Sequence, residues 1–199
     1  MYEYCHMKIY KTIETNWVRS LRSGAMLIHP TDTSWAIGTS AFSKKGFKTL
    51  SNLNSESTTN NTPPTILIDS ILHLKKYVYQ LHPRVETMLS YHHRPISILY
   101  SEIKMLPTYL LNADGCAALC IVQDPRIKKL IQKLKYPIIY NPIKSQSNVL
   151  QTSMQSIPNQ LKNKTDFIYH PNGPLFNATD VGKPAVVANV DDQGNLLFH

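Results

Sequence analysis

The chain has 199 residues, 42% of them hydrophobic and 17% charged. That is enough apolar side chain to bury one full core, and too little charge for a disordered chain. No run approaches the roughly 18 consecutive apolar residues of a membrane helix, and Met1 to His6 carries no apolar core of a secretion signal, so a cytoplasmic protein with no membrane partner is expected. Lysine plus arginine exceed aspartate plus glutamate by 21 to 13, a net charge of +8, which favours polyanionic partners through long-range attraction and counterion release.

In chain order, Thr12 to Arg22 places Ile13, Trp17, Val18 and Leu21 at helical spacing, and Ser23-Gly24 stops the helix. Ala25 to His29 reads as a strand ended by Pro30, and Lys44 to Leu53 as a second helix. Asn54 to Pro64 is almost entirely Asn, Ser, Thr and Pro, a polar loop. Thr65 to Ile68 is a short buried strand, with Asp69 set to cap a helix running to about Val78. His82-Pro83 opens another helix, since proline suits a first turn. Then come strands Ile96 to Tyr100 and Ala117 to Val122, a helix Pro125 to Lys135, a strand Pro137 to Tyr140 and a helix near Ser153 to Leu161. Strands Phe167 to His170, Ala185 to Val190 and Leu196 to Phe198 close the chain. Elements mixed in this order predict an α/β fold: an open, twisted, mixed sheet with helices packed on it. Residues 1–11 form an N-terminal extension and residues 12–199 one domain.

Cys116 and Cys120 lie four residues apart on a strand, about 13 Å, beyond the ~7 Å that a disulfide spans between Cα atoms. They read as small core residues. His92-His93 is the only adjacent histidine pair; neighbouring side chains point apart and no third ligand accompanies them, so no metal site is expected. The most readable surface is the helix from Pro125. Asp124 caps it, Pro125 takes its first position, and Ile127, Leu130, Ile131 and Leu134 form the core stripe. Arg126, Lys128, Lys129, Lys133 and Lys135 are then left for solvent, either as an ordinary charged face or as a surface that tracks phosphates.

Gly24-Ala-Met-Leu-Ile-His-Pro-Thr-Asp-Thr33, followed by Ser34-Trp-Ala-Ile-Gly38, resembles the signature that opens the YrdC-like threonylcarbamoyl-adenylate synthase family. Arg94-Pro-Ile-Ser97-Ile-Leu is similar to that family's Pro-Gly-Pro-x-Thr strand, and Ala118 to Pro125 to its x-Val-Arg-x-Pro segment. Pro137 to Pro142 sits where the family has Pro-Leu-x-Ser-Thr-Ser-Ala-Asn, and Gly182-Lys-Pro-Ala185-Val-Val resembles the late Pro-Ser-Thr-Val-Val strand. The resemblance runs from about Thr12 to His199.

It implies a twisted sheet whose concave, basic face holds a nucleotide and is associated with RNA, and an enzyme that condenses threonine, bicarbonate and ATP into threonylcarbamoyl-adenylate on the way to a modified tRNA. Such an enzyme would take ATP and Mg²⁺. The residues depart from this pattern. The family's Lys-x-Arg pair falls on Asn54 and Glu56, the strand Arg on Cys120, the Ser and Asn of the Ser-Ala-Asn turn on Pro142 and Lys144, and the late Ser on Ala185. Thr33 stands where the family contacts threonine, and Ser97 keeps a hydroxyl where it contacts nucleotide. Thr31, Thr33, Ser97, Asn141 and Lys144 are therefore the candidates for substrate or nucleotide, and Arg126, Lys128, Lys129, Lys133 and Lys135 for RNA. Thr31 and Thr33 alternatively satisfy local backbone donors at a strand end, and Ser97 is alternatively a packed small residue. No catalytic residue is assigned. Three readings stay open: a nucleotide- and RNA-binding protein for double-stranded RNA or tRNA that lacks synthase turnover, a working synthase, and a degenerate paralogue that binds a small molecule or a protein. Thr33, Ser97, Tyr140 and Ala185 are expected to converge on one pocket.

Overall fold

The computed structural model describes residues 9–10, 15–53, 63–92, 94–145, 147–170, 181–183, 185–191 and 193–198. The elements are β1 Ile9–Tyr10, α1 Thr15–Arg22, β2 Leu27–Pro30, β3 Trp35–Ser40, α2 Lys44–Leu53, β4 Thr65–Ile68, α3 Ile71–Leu74, α4 Pro83–Tyr91 and β5 Ile96–Tyr100. After a turn of 3₁₀ helix at Thr108–Leu110 follow β6 Ala117–Ile121, α5 Pro125–Leu134, β7 Ile138–Pro142, α6 Asn159–Asn163, β8 Phe167–Tyr169, β9 Val186–Val190 and β10 Leu196–Phe198. The ten strands form one mixed sheet in the order β1-β8-β2-β3-β7-β4-β6-β5-β9-β10. Ile9 and Tyr10 pair in parallel with Ile168 and Tyr169, so the sheet draws on the segment ahead of residue 12.

Strand alternation divides the core between two faces. On one, Ile28, Ile37, Ile66, Ile98, Leu119, Ile139 and Ile168 pack with Leu50 of α2, Leu74 of α3 and Val85 of α4. On the other, Leu27, Leu67, Cys120, Ile138 and Tyr169 pack with Trp17 and Leu21 of α1 and with the stripe of α5. Ile127, Leu130, Ile131 and Leu134 are all fully buried, which makes α5 the clamp of this second face. Ile127→Val is expected to lower stability by about 0.5–1.5 kcal/mol, read as a lower urea midpoint with unchanged slope; an unmoved midpoint would mean the stripe is loosely packed. Gly24 has φ +96°, and a Cβ there would lie 2.6 Å from Ser43 Oγ and 2.9 Å from Gly46 N. That close approach is what lets the end of α1 meet the start of α2.

Several elements differ from the sequence reading. β3 has no counterpart in it, because all six of its residues are buried and show no polar alternation. The helix after β4 ends at Leu74, not Val78. Beyond it the backbone turns to bond Lys104 N to Tyr77 O and Tyr79 N to Glu102 O, so a tertiary pairing overrides local helix propensity. Its cap is Ser70, whose hydroxyl accepts from His73 N, while Asp69 takes the His73 ring instead. The helix near residue 153 is reduced to Asn159–Asn163 behind Pro158. Residues 54–62 of the polar loop, 12–14 of the first helix, and Cys5 and His93 lie outside the described residues.

Candidate functional site

Register across the sheet lines up two rows of side chains on the face that carries α5. The first runs Leu27, Gly38, Tyr140, Thr65, Ala118, Leu99 and Asn189. The second runs Ser40, Ile138, Leu67, Cys120, Ser97 and Val187. Helix α5 covers part of the second row through Leu67, Cys120 and Ile138. Thr65, Tyr140, Leu99 and Asn189 stay half-buried and Val187 is exposed, so an accessible strip remains beside α5. No residue in either row is charged.

The β2–β3 turn meets the chain just after β6, four strands away in the sheet. There the Asp32 carboxylate accepts Gln123 N at 3.0 and 3.1 Å and Asp124 N at 2.6 Å. Asp124 in turn caps α5 by accepting Arg126 N at 2.8 Å and Ile127 N at 3.3 Å, and it pairs with the Arg126 guanidinium. Burial raises the Asp32 pKa above the ordinary aspartate value; its two backbone donors oppose the rise, the nearby Asp124 charge adds to it and Lys128 opposes it.

Thr31 closes its own turn: its hydroxyl donates to Ser34 O at 2.9 Å and accepts from Thr33 N and Ser34 N. Thr33 is 7% exposed, and its carbonyl accepts Gly182 N at 2.8 Å. Gly182 leads into β9, where Val187 lies opposite Ser97. Ala185 stands two residues ahead of Val187, so Thr33, Ala185 and Ser97 are joined through this one segment. Ser97 is 2% exposed and packs beside Cys120, whose thiol burial pushes up to about 12. Tyr140, on the first row, has its pKa raised by burial and by the neighbouring Cys120 and Asp32.

Asn141 faces the opposite side of β7 from Tyr140 and donates Nδ2 to Leu50 O of α2 at 3.5 Å. Lys144 is exposed and bridges to Leu150 beyond β7. The sheet thus separates Asn141 from Ser97 and Cys120. On α5, Lys129 and Lys133 are exposed, as is its C-cap Lys135. The expectation that all five basic residues of this helix face solvent is corrected for two of them. Arg126 is half-buried against Asp124, and Lys128 is half-buried with Nζ 3.5 Å from Gln123 Oε1.

Sequence reasoning missed the Asp32 clamp and the buried His29. The clamp joins residues 91 and 92 positions apart, which no local pattern reports. His29 donates Nδ1–H to Pro30 O at 2.9 Å, and its Nε2 has no partner among the described residues. Among the described residues no three His, Cys, Asp or Glu side chains converge to hold a metal ion. The two rows of the described strip offer an ATP–Mg²⁺ complex no fixed cation of their own, and Cys120, where the resemblance would set the family's arginine, is buried. No helix among the described residues is long and apolar enough to cross a membrane.

The solved structure of E. coli YciO superposes with a TM-score of 0.77 at 16% identity, covering 96% of this chain and 93% of that one. P. abyssi Sua5, as its H234A/Y235A variant, superposes at 0.72 and 17% identity, covering 93% of this chain and 56% of that one. A further P. abyssi Sua5 structure, complexed with L-threonine, superposes at 0.67 and 17% identity, covering 92% of this chain and 53% of that one. The chain therefore spans little more than half the length of Sua5. No curated protein matches it. The model of the Sua5/YciO/YrdC family, described as telomere recombination, matches residues 19–185; with most of its length matched, this chain belongs to that family.

Proposed function

We propose that the protein binds double-stranded RNA or structured tRNA along the outer face of α5 and does not form threonylcarbamoyl-adenylate. One observation carries the reading: Lys129, Lys133 and Lys135 stand exposed on a helix held rigidly by a fully buried stripe, in a chain of net charge +8. A cationic ridge of this kind neutralises backbone phosphates and reads the shape of a duplex in preference to its bases. Arg126 and Lys128 contribute less, since Asp124 and Asp32 already offset their charge.

The test is duplex RNA binding over a salt series. With Lys129, Lys133 and Lys135 replaced by Glu, affinity is expected to fall by similar factors for unrelated sequences. The slope of log K against log salt should flatten by about 0.9 per lost phosphate contact. Unchanged affinity would remove α5 from the interface. Absence of duplex binding by the parent protein at low salt would favour a paralogue that takes a small molecule or protein partner. A second reading, threonine binding at the β2–β3 turn, draws on the Sua5 structure solved with L-threonine and on Thr33 lying beside Gly182; calorimetric titration with threonine checks it.

A further inference from the structure

The β3–β7 ladder continues past both strands, because Ala41 N donates to Pro137 O at 2.9 Å. This extension sets Phe42 beside Tyr136, ring centroids 5.0 Å apart. Both are 38% exposed, a touching aromatic pair open to solvent. Tyr77 extends the row from the other side, 6.3 Å from Phe42. It is held in place by His73, whose Nε2 accepts its hydroxyl at 3.2 Å while Nδ1–H donates to Asp69 at 2.5 Å. Arg22 comes from the end of α1. Its guanidinium lies over one face of the Tyr136 ring, 5.3 Å from the centroid, and donates Nε and Nη2 to Leu134 O, at 3.2 and 2.8 Å, on the last turn of α5. One aromatic row is therefore tied to a cation and to the C-terminus of the basic helix, with exposed Lys135 next in sequence to Tyr136 and exposed Lys44 two residues after Phe42.

We propose that Phe42 and Tyr136 form a stacking platform for an unpaired nucleobase of RNA whose phosphates run on to the lysines of α5. Every base has a π-face, and a base laid on Phe42 and on the side of Tyr136 away from Arg22 gains stacking and charge attraction together, with little regard to sequence. A duplex hides its base faces and cannot use the rings. The partner that uses both surfaces is therefore an RNA with a helical stem next to an unpaired loop or end. This inference rests on the reading that α5 binds RNA, and it adds the single-stranded part of the substrate.

The experiment uses the full chain and Phe42→Leu/Tyr136→Leu, which keeps apolar volume and removes the π-faces. Fluorescence anisotropy measures three probes: a single-stranded RNA octamer, an abasic backbone of the same length, and a blunt duplex. Tyr91→Leu, another exposed ring at the end of α4, is the control. Expected is a loss of roughly 5- to 150-fold for the octamer in the double variant, with the abasic probe, the duplex and the control unchanged. An octamer bound equally by parent and double variant overturns the platform while duplex binding leaves α5 standing. Octamer binding that depends on the rings without any duplex binding keeps the platform and removes the duplex reading, and no binding of either at low salt overturns both. Should the double variant melt early, Phe42→Leu alone supplies the comparison, and no loss there also overturns the proposal.

Discussion

Purified protein supplied with ATP, Mg²⁺, threonine and bicarbonate is expected to release no pyrophosphate above background. Displacing pyrophosphate from ATP concentrates negative charge that fixed cations must meet in the transition state. The described rows beside α5 offer none, and where the resemblance would place the family's strand arginine this chain has Cys120, 1% exposed between Leu67 and Ser97. The resemblance likewise sets Asn54 and Glu56 at the positions of the family's Lys-x-Arg pair. One lost electrostatic donor costs about 2.7–4 kcal/mol in such sites. Two lost together remove about 5 kcal/mol where they act independently, close to four orders of magnitude in rate, and about the 2.7–4 kcal/mol of a single donor where they act as one unit. Cys120→Arg is not expected to restore turnover, since it would bury an unpaired guanidinium in a packed row and destabilise the fold by several kcal/mol, on the order of 3–5. Pyrophosphate release that requires both threonine and bicarbonate, and that disappears in Thr33→Ala, would overturn the expectation.

Helix α5 shows what a sequence can declare. Asp124-Pro125 and the stripe Ile127, Leu130, Ile131, Leu134 are local signals, and the cap, the first-turn proline and the buried face all appear where the spacing puts them. The strands at Ile96–Tyr100 and Leu196–Phe198 were legible for the same reason. What was illegible depends on distant partners. β3 is buried on both faces and carries no periodicity, and Asp69 is drawn from its expected cap by the His73 ring. Lys128 looks like a surface charge until the β2–β3 turn brings Asp32 near it. The opposed facing of Asn141 and Tyr140, by contrast, follows from strand alternation alone and was available in the sequence once Pro137 to Tyr140 was read as a strand.

His29 is expected to make the protein acid-labile in a defined window. The side chain is fully buried, and desolvation lowers its pKa from 6.5 to about 4, against the opposing pull of the Pro30 carbonyl and the Asp124 charge. A histidine whose folded pKa is depressed stays neutral in the native state and takes a proton in the unfolded one. Its stabilising effect is thus fully present above pH 6.5 and declines as pH falls from there to about 4. A shift of this size corresponds to about 3 kcal/mol at 1.36 kcal/mol per unit. Asp32 acts with the opposite sign. Its pKa is raised, so its ionisation disfavours the fold, and that part of stability is present below the ordinary aspartate value and lost as pH rises through the folded one. The two overlap at the acid end, so the His29 contribution is isolated by comparison with His29→Phe, which keeps a planar ring and cannot titrate. Urea denaturation of both proteins from pH 7.5 to 4 should show the parent losing about 3 kcal/mol more than the variant, with most of the divergence below pH 6.5. Parallel curves across that range would mean that the native state accepts a proton at His29 without cost, through water or a partner at Nε2.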